Sequence, residues 1–156
     1  MRLNLVAFAA CLLGAIIVTT AGGATTLPVV DAVIYTRDGE VPLMLEVAST
    51  PEARMTGLMD RDTIGPRDGM LFLFPVEHAY GFWMKNTNIP LDILFIDAKR
   101  RIVHIEAEAT PHSLTERKPP VPVLSAIELD GGRASRDGIA VGDHLRYELP
   151  PMLEIR

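Results

Sequence analysis

Turn-forming residues punctuate this chain about every 8–12 positions from residue 33 onward, the spacing of short strands in a β-sandwich or barrel. Val33 to Arg37, then Asp38-Gly39, then Val41 to Val47 read as a hairpin, because Asp-Gly supplies the positive φ of a two-residue turn. Met70 to Phe74 and Tyr80 to Lys85 are apolar, aromatic runs of strand length. Leu91 to Asp97 and Arg101 to Ala107 form a second expected hairpin around Ala98-Lys99. A Pro-rich crossing, Pro111 to Pro122, is too kinked for a central strand, and Val123 to Leu129 and His144 to Leu149 complete the set. In the last strand Leu145, Tyr147 and Leu149 alternate with His144, Arg146 and Glu148, one buried face and one wet face.

One helix interrupts this pattern. Ser49 and Glu52 stand at capping-box spacing with Pro51 between them, which predicts a helix near residues 50–59 carrying Arg54, Leu58 and Arg61 on one face. Six of the eight aromatic residues beyond position 24 fall between Phe72 and Phe95, so that segment supplies the core centre. The expected fold is mainly β: a small β-sandwich or barrel-like domain with one short α-helix.

The first 24 residues are expected to lie outside that domain. Arg2, the apolar run Leu3 to Val18 and the small residues Ala21 to Ala24 have the order of a secretory signal, with cleavage after Ala24. The run is 16 residues long, short of the ~20 of a spanning helix; an uncleaved anchor is the alternative. Residues 25–156 then form a single β-rich domain, exported to the periplasm or secreted, with no stable membrane span after cleavage. The sole cysteine, Cys11, is removed with the leader. That excludes an internal disulfide, a cysteine zinc site and thiol catalysis. A net charge of −5 argues against a nucleic-acid partner.

Three blocks go beyond general propensity: Gly57-Leu58-Met59-x-Arg61, then Gly69-Met70-Leu71-Phe72-x-Phe74, then Phe82-Trp83-Met84-Lys85-Asn86-Thr87-x-Ile89-Pro90-Leu91-Asp92. Together they resemble the signature of the domain of unknown function 192 family. Phe95-Ile96-Asp97, Pro111-His112-Ser113, Ala126 to Leu129 and Gly142-Asp143 are similar to its later blocks. The resemblance covers roughly Val30 to Leu149. It implies a small β-rich domain, often exported or membrane-anchored in prokaryotes, and no established activity. Two departures stand out: Lys99-Arg100 replaces a Gly-containing turn, and Ser125 replaces an apolar residue.

The candidate site is Trp83, Lys85, Asn86, Thr87 and Asp92, with Glu128 as a further candidate and Arg54 and Arg61 adding positive charge if the helix packs nearby. On a strand, Trp83, Lys85 and Thr87 share one face. An indole beside an ammonium, an amide and a hydroxyl suits a polar ligand such as a sugar or a carboxylate. The same groups also suit an internal network, with Asp92 paired to Lys85 or an arginine. Open-cleft placement of Lys85, Asn86 and Asp92 separates the two. His104, Glu106 and Glu108 alternate near His112, but i and i+2 side chains stand ~6.8 Å apart on a strand, so no metal and no cofactor are assigned. No nucleophile elbow or phosphate-cradling loop is present. The leading reading is a module that binds a small molecule or envelope component. Its alternatives are a carboxylate-dependent envelope hydrolase or lyase using Asp92 or Glu128, and a structural or protein-interaction module. Enzymatic activity and oligomeric state stay open.

Overall fold

The computed structural model describes residues 26–65 and 68–156; the expected leader, residues 1–24, lies outside them. The chain runs β1 (Val29–Thr36), β2 (Gly39–Ala48), α1 (Pro51–Thr56), β3 (Gly69–His78), β4 (Leu91–Ile96), β5 (Ile102–Ala109), β6 (Val123–Asp130), α2 (Arg133–Arg136) and β7 (His144–Tyr147). All seven strands join one sheet in the order β5-β4-β6-β3-β2-β1-β7. Every pairing is antiparallel except β2 with β3. That parallel step needs a crossover, and residues 49–68 carrying α1 provide it.

The mainly-β expectation holds, and the sheet is not closed. One face gathers Val30, Ala32 and Ile34 of β1 with Leu43, Leu45, Leu71, Leu94, Ile96, Ile102, Ile127 and Leu145, a cluster drawing on all seven strands. Such a cluster forms only if the sheet curls around it. At one end the two edges meet, as Ile102 donates to the Asp143 carbonyl (2.9 Å) and Leu145 to the Arg100 carbonyl (2.8 Å). The outer face carries a second core, with Met70, Phe72, Phe74, Ile93, Phe95 and Ala126 lying beneath Leu58, Phe82 and Met84. Central strands are thus covered on both faces, which is why β4 is buried at every position.

Both departures noted above have local accounts. Arg100 sits at φ +61° in the turn after β4. Its side chain lies over the Tyr147 ring (4.4 Å) and donates to the Tyr147 carbonyl (2.9 Å), tying the β4–β5 hairpin to β7. Ser125, buried on β6, engages the Tyr147 phenol across the curl.

Four expectations need correction. The first hairpin turns at Arg37-Asp38, one residue early, since Thr36 pairs with Gly39; the Thr36 hydroxyl accepts from the Asp38 amide and donates to the Gly39 carbonyl. Thr50, not Ser49, caps α1 by accepting from the Ala53 amide (3.2 Å), and the helix ends at Thr56 rather than near residue 59. Gly57 stops it at φ +49°, a conformation that suits glycine. Tyr80 to Lys85 is no strand of the sheet: it crosses the outer face and bonds the 111–117 loop, through Phe82 with Arg117 in both directions and Met84 with Ser113. A second short helix, α2, adds to the one expected; the carboxylate of a residue 40 positions before Gly132 caps it.

Candidate functional site: an aromatic cleft over a buried acid

The crossover helix and the 80–87 segment stand on the outer face of the sheet with a cleft of about 330 Å³ between them. Residues 54–59 form one wall, Tyr80, Gly81, Phe82, Trp83 and Thr87 the other, and Phe72, Phe74 and Glu128 the floor. The rings lock one another. Phe74 stacks on Tyr80 at 3.7 Å, and Phe82 meets Phe72 and Phe95 edge to face at 5.1 and 5.5 Å. Such arrangements fix ring positions beyond what area burial alone does.

Glu128 is the one acidic side chain of the lining. On β6 it pairs with Met70 and Ile93, so its side chain points into the outer, aromatic core. It is 5% exposed, and among the described residues no donor is bonded to its carboxyl. Burial pushes its pKa up to about 8, against a smaller pull downward from Arg61. The acid is therefore mostly neutral at pH 7. Gly69 lets β6 approach closely enough to set this position, because a Cβ there would lie 2.0 Å from the Glu128 carbonyl oxygen.

Arg54 reaches the same cleft from α1. Its guanidinium donates to the carbonyls of Ser49 and Leu73 (both 2.8 Å) and to the main-chain oxygen of Arg156, over the Phe74 ring at 5.7 Å. Burial lowers its pKa from the usual guanidinium value. Arg61, past the end of the helix, does not share a helical face with Arg54. It grips Glu46 with two 2.8 Å bonds, and this raises its pKa.

Four of the eight sequence candidates line the cleft: Arg54, Trp83, Thr87 and Glu128. Trp83 is 48% exposed at the rim, and the Lys85 ammonium lies 5.3 Å from its ring centroid on the solvent side. Thr87 leaves that shared face, because the chain turns at Asn86 (φ +53°), and is buried. The Asn86 carbonyl accepts from the Asp60 amide (2.7 Å), while its side chain is exposed outside the cleft.

Asp92 is fully buried on the opposite face of the sheet, opposite Leu129. Among the described residues it pairs with neither Lys85 nor an arginine. Its carboxylate accepts from the amides of Glu108 (2.8 Å), Gly132 (3.0 Å) and Ala134 (2.7 Å), capping α2 from a distant strand. Asp92 and Glu128 therefore cannot face each other across one cleft. None of Lys85, Asn86 and Asp92 therefore lines the open cleft: the first two are exposed outside it and the third is buried on the other face.

The alternation of His104, Glu106 and Glu108 breaks at a bulge. Ile93 faces Glu106 but Leu91 faces Ala109, and Glu108 takes φ +48°. Among the described residues no three His, Cys, Asp or Glu side chains are grouped to hold a metal. None of them forms a helix long and apolar enough to cross a membrane.

Sequence reasoning placed Phe72, Phe74, Tyr80 and Phe82 in the core but not around a cavity. The signal was the convergence of separate blocks, since 57–59, 72–74, 82–87 and Glu128 each supply part of the lining.

The fold and the cleft define a class: a small, mainly-β domain with an aromatic pocket over a buried acid. The chain belongs to the DUF192 family (Uncharacterized ACR), whose model matches residues 33–147. A comparison with curated proteins finds no match. Among solved structures it is similar to a candidate transcription regulator from Sinorhizobium meliloti 1021, at 36% identity and TM-score 0.77 over 80% of this chain and 98% of that one. It is also similar to a protein of unknown function from Novosphingobium aromaticivorans DSM 12444, at 35% identity and TM-score 0.76 over 80% and 89%.

Proposed function

We propose that this protein is an exported domain that binds a small organic molecule in the cleft between α1 and the 80–87 segment. The observation that carries the reading is Glu128, a buried acid beside Phe72 and Phe74 on the cleft floor with no hydrogen-bond donor to its carboxyl among the described residues. Holding a carboxyl there at about 8 opposes folding at neutral pH by several kcal/mol, out of a usual total of about 5–15. A hydrophobic residue would pack the floor without that cost. A strongly perturbed acid in a cleft marks a candidate site, and a cavity of apolar walls with few polar groups is the usual form of a small-molecule pocket. Export is supported by the signal-like order of residues 2–24.

For the hydrolase or lyase alternative, Asp92 lies on the other face of the sheet and is committed to capping α2, which leaves Glu128 as its acid in the cleft. The regulatory role named for the Sinorhizobium protein finds no support in a chain of net charge −5.

The test uses the chain's one tryptophan, which stands at the rim. Sugars, peptidoglycan fragments, aromatic alcohols and carboxylates are screened by Trp83 fluorescence and thermal shift. A ligand at 100 times its dissociation constant stabilises by about 2.7 kcal/mol, or several degrees. A panel that moves neither signal refutes the proposal.

A further inference from the structure

We infer that the cleft takes a small organic anion, a monocarboxylate with an apolar or aromatic body, held between the Arg54 guanidinium and the Glu128 carboxyl. This deepens the small-molecule reading above and rests on it.

The argument starts from the polar groups of the lining. Arg54, Thr87 and Glu128 are the polar side chains that accompany the aromatic and aliphatic ones, with Thr56 beside the helix end. Arg54 is held in place by three main-chain acceptors. A guanidinium has five N–H donors, so two remain, and among the described residues nothing takes them. A protonated carboxyl supplies one further O–H donor. A cationic fork and a neutral acid over one apolar floor match a ligand that accepts hydrogen bonds and carries negative charge. Charge-assisted bonds of this kind are the stronger ones, and an arginine fork suits a planar carboxylate.

The surrounding charges agree. Lys85 adds a cation at the rim over Trp83, while Arg61 is neutralised by Glu46 and still bears on Glu128. Tyr80 stands in the wall with its hydroxyl donating to the Val76 carbonyl. With Glu128 neutral, no negative charge lines the cleft among the described residues. An amine ligand would face Arg54 and Lys85 and find Glu128 unionised. A neutral ring would leave the two remaining arginine donors unmet, a cost a site imposes on ligands lacking the matching group.

Ionisation of Glu128 sets the pH dependence. Below about pH 8 the acid donates to the ligand; above it, a second carboxylate repels the first. Glutamine keeps a neutral N–H donor at that position and removes the titration.

The experiment is calorimetric titration of the protein with phenylacetate, benzyl alcohol and benzylammonium at pH 6, 7, 8, 9 and 10. Phenylacetate is expected to bind at least tenfold tighter than the alcohol at pH 6. Its affinity should fall toward tenfold per pH step above pH 8. Glu128→Gln should retain phenylacetate binding with no fall between pH 6 and 10. Tighter binding of benzyl alcohol or benzylammonium than of phenylacetate overturns the anion inference and leaves the small-molecule reading standing. So does a wild-type profile that matches Glu128→Gln. If no probe binds and the wider fluorescence panel is also silent, both readings fall.

Discussion

Replacing Glu128 by glutamine should make the protein more stable with rising pH relative to wild type. The unfolded chain ionises this carboxyl near 4.5, and the folded one near 8. Below pH 4.5 both states keep the proton and the acid contributes nothing to pH dependence. Between these values the unfolded chain releases a proton that the fold retains, so wild-type stability drops with each step. Above pH 8 the full difference is lost. At about 1.4 kcal/mol per tenfold change in proton affinity, the ceiling is about 5 kcal/mol, and relaxation around the carboxylate reduces it to roughly 3–5. Glutamine carries a constant cost for its buried amide, about 1–3 kcal/mol, so the diagnostic is the slope rather than the offset. Urea melts of both proteins at pH 4.5, 6, 7, 8 and 9 give the difference directly. With a urea slope of about 1–3 kcal/mol/M, the gap between midpoints should widen by roughly 2 M from pH 4.5 to 9. Parallel curves would refute the claim that burial governs this acid.

Three further outcomes follow from the same geometry. Asp92→Ala strands the amides of Glu108, Gly132 and Ala134 and should cost about 3–5 kcal/mol in urea denaturation; a loss below about 1 kcal/mol would show that water replaces the cap. Gly69→Ala places a methyl against the Glu128 carbonyl oxygen and should disrupt the β3–β6 ladder, seen as loss of amide protection in both strands by hydrogen exchange; unchanged protection would contradict the close approach. Arg61→Met removes the charge that, among the described residues, eases Glu128 ionisation, so the Glu128 side-chain carbon should titrate above the wild-type midpoint by nuclear magnetic resonance. A lower midpoint would mean that another cation controls the site.

Much of the fold was legible because strand length, turn chemistry and alternation are local. Leu145, Tyr147 and Leu149 face inward as their spacing predicts, Leu145 fully buried and the other two partly, and the β4–β5 hairpin sits where its turn residues place it. The Tyr80–Lys85 run failed for a reason local reading does not contain. Its alternation of buried and exposed residues is real, but its backbone partner is the 111–117 loop rather than a strand of the sheet. Helix α2 was missed for the same kind of reason, since Asp92 caps it from β4. The site was half legible. Trp83, Thr87, Arg54 and Glu128 were named from their chemistry, but sequence does not tell which face of a sheet a carboxylate occupies until the register is known. One residue of register separates Asp92, opposite Leu129, from Ile93, opposite Glu128, and that step sends one acid to a structural cap and the other to a cleft.

The placement of both cleft walls in connections between strands bears on how such a domain diversifies. Residues 49–68 join β2 to β3, and residues 79–90 join β3 to β4, so the walls come from either side of β3 in the chain, and β3 supplies the floor together with Glu128 of β6. Connections accept changes of length and composition that a strand covered on both faces does not. Pocket depth and rim chemistry can therefore drift independently on either side of β3 while the ladder beneath is preserved, and exchange of either connection between relatives offers a route to a differently shaped cleft without redesign of the sheet.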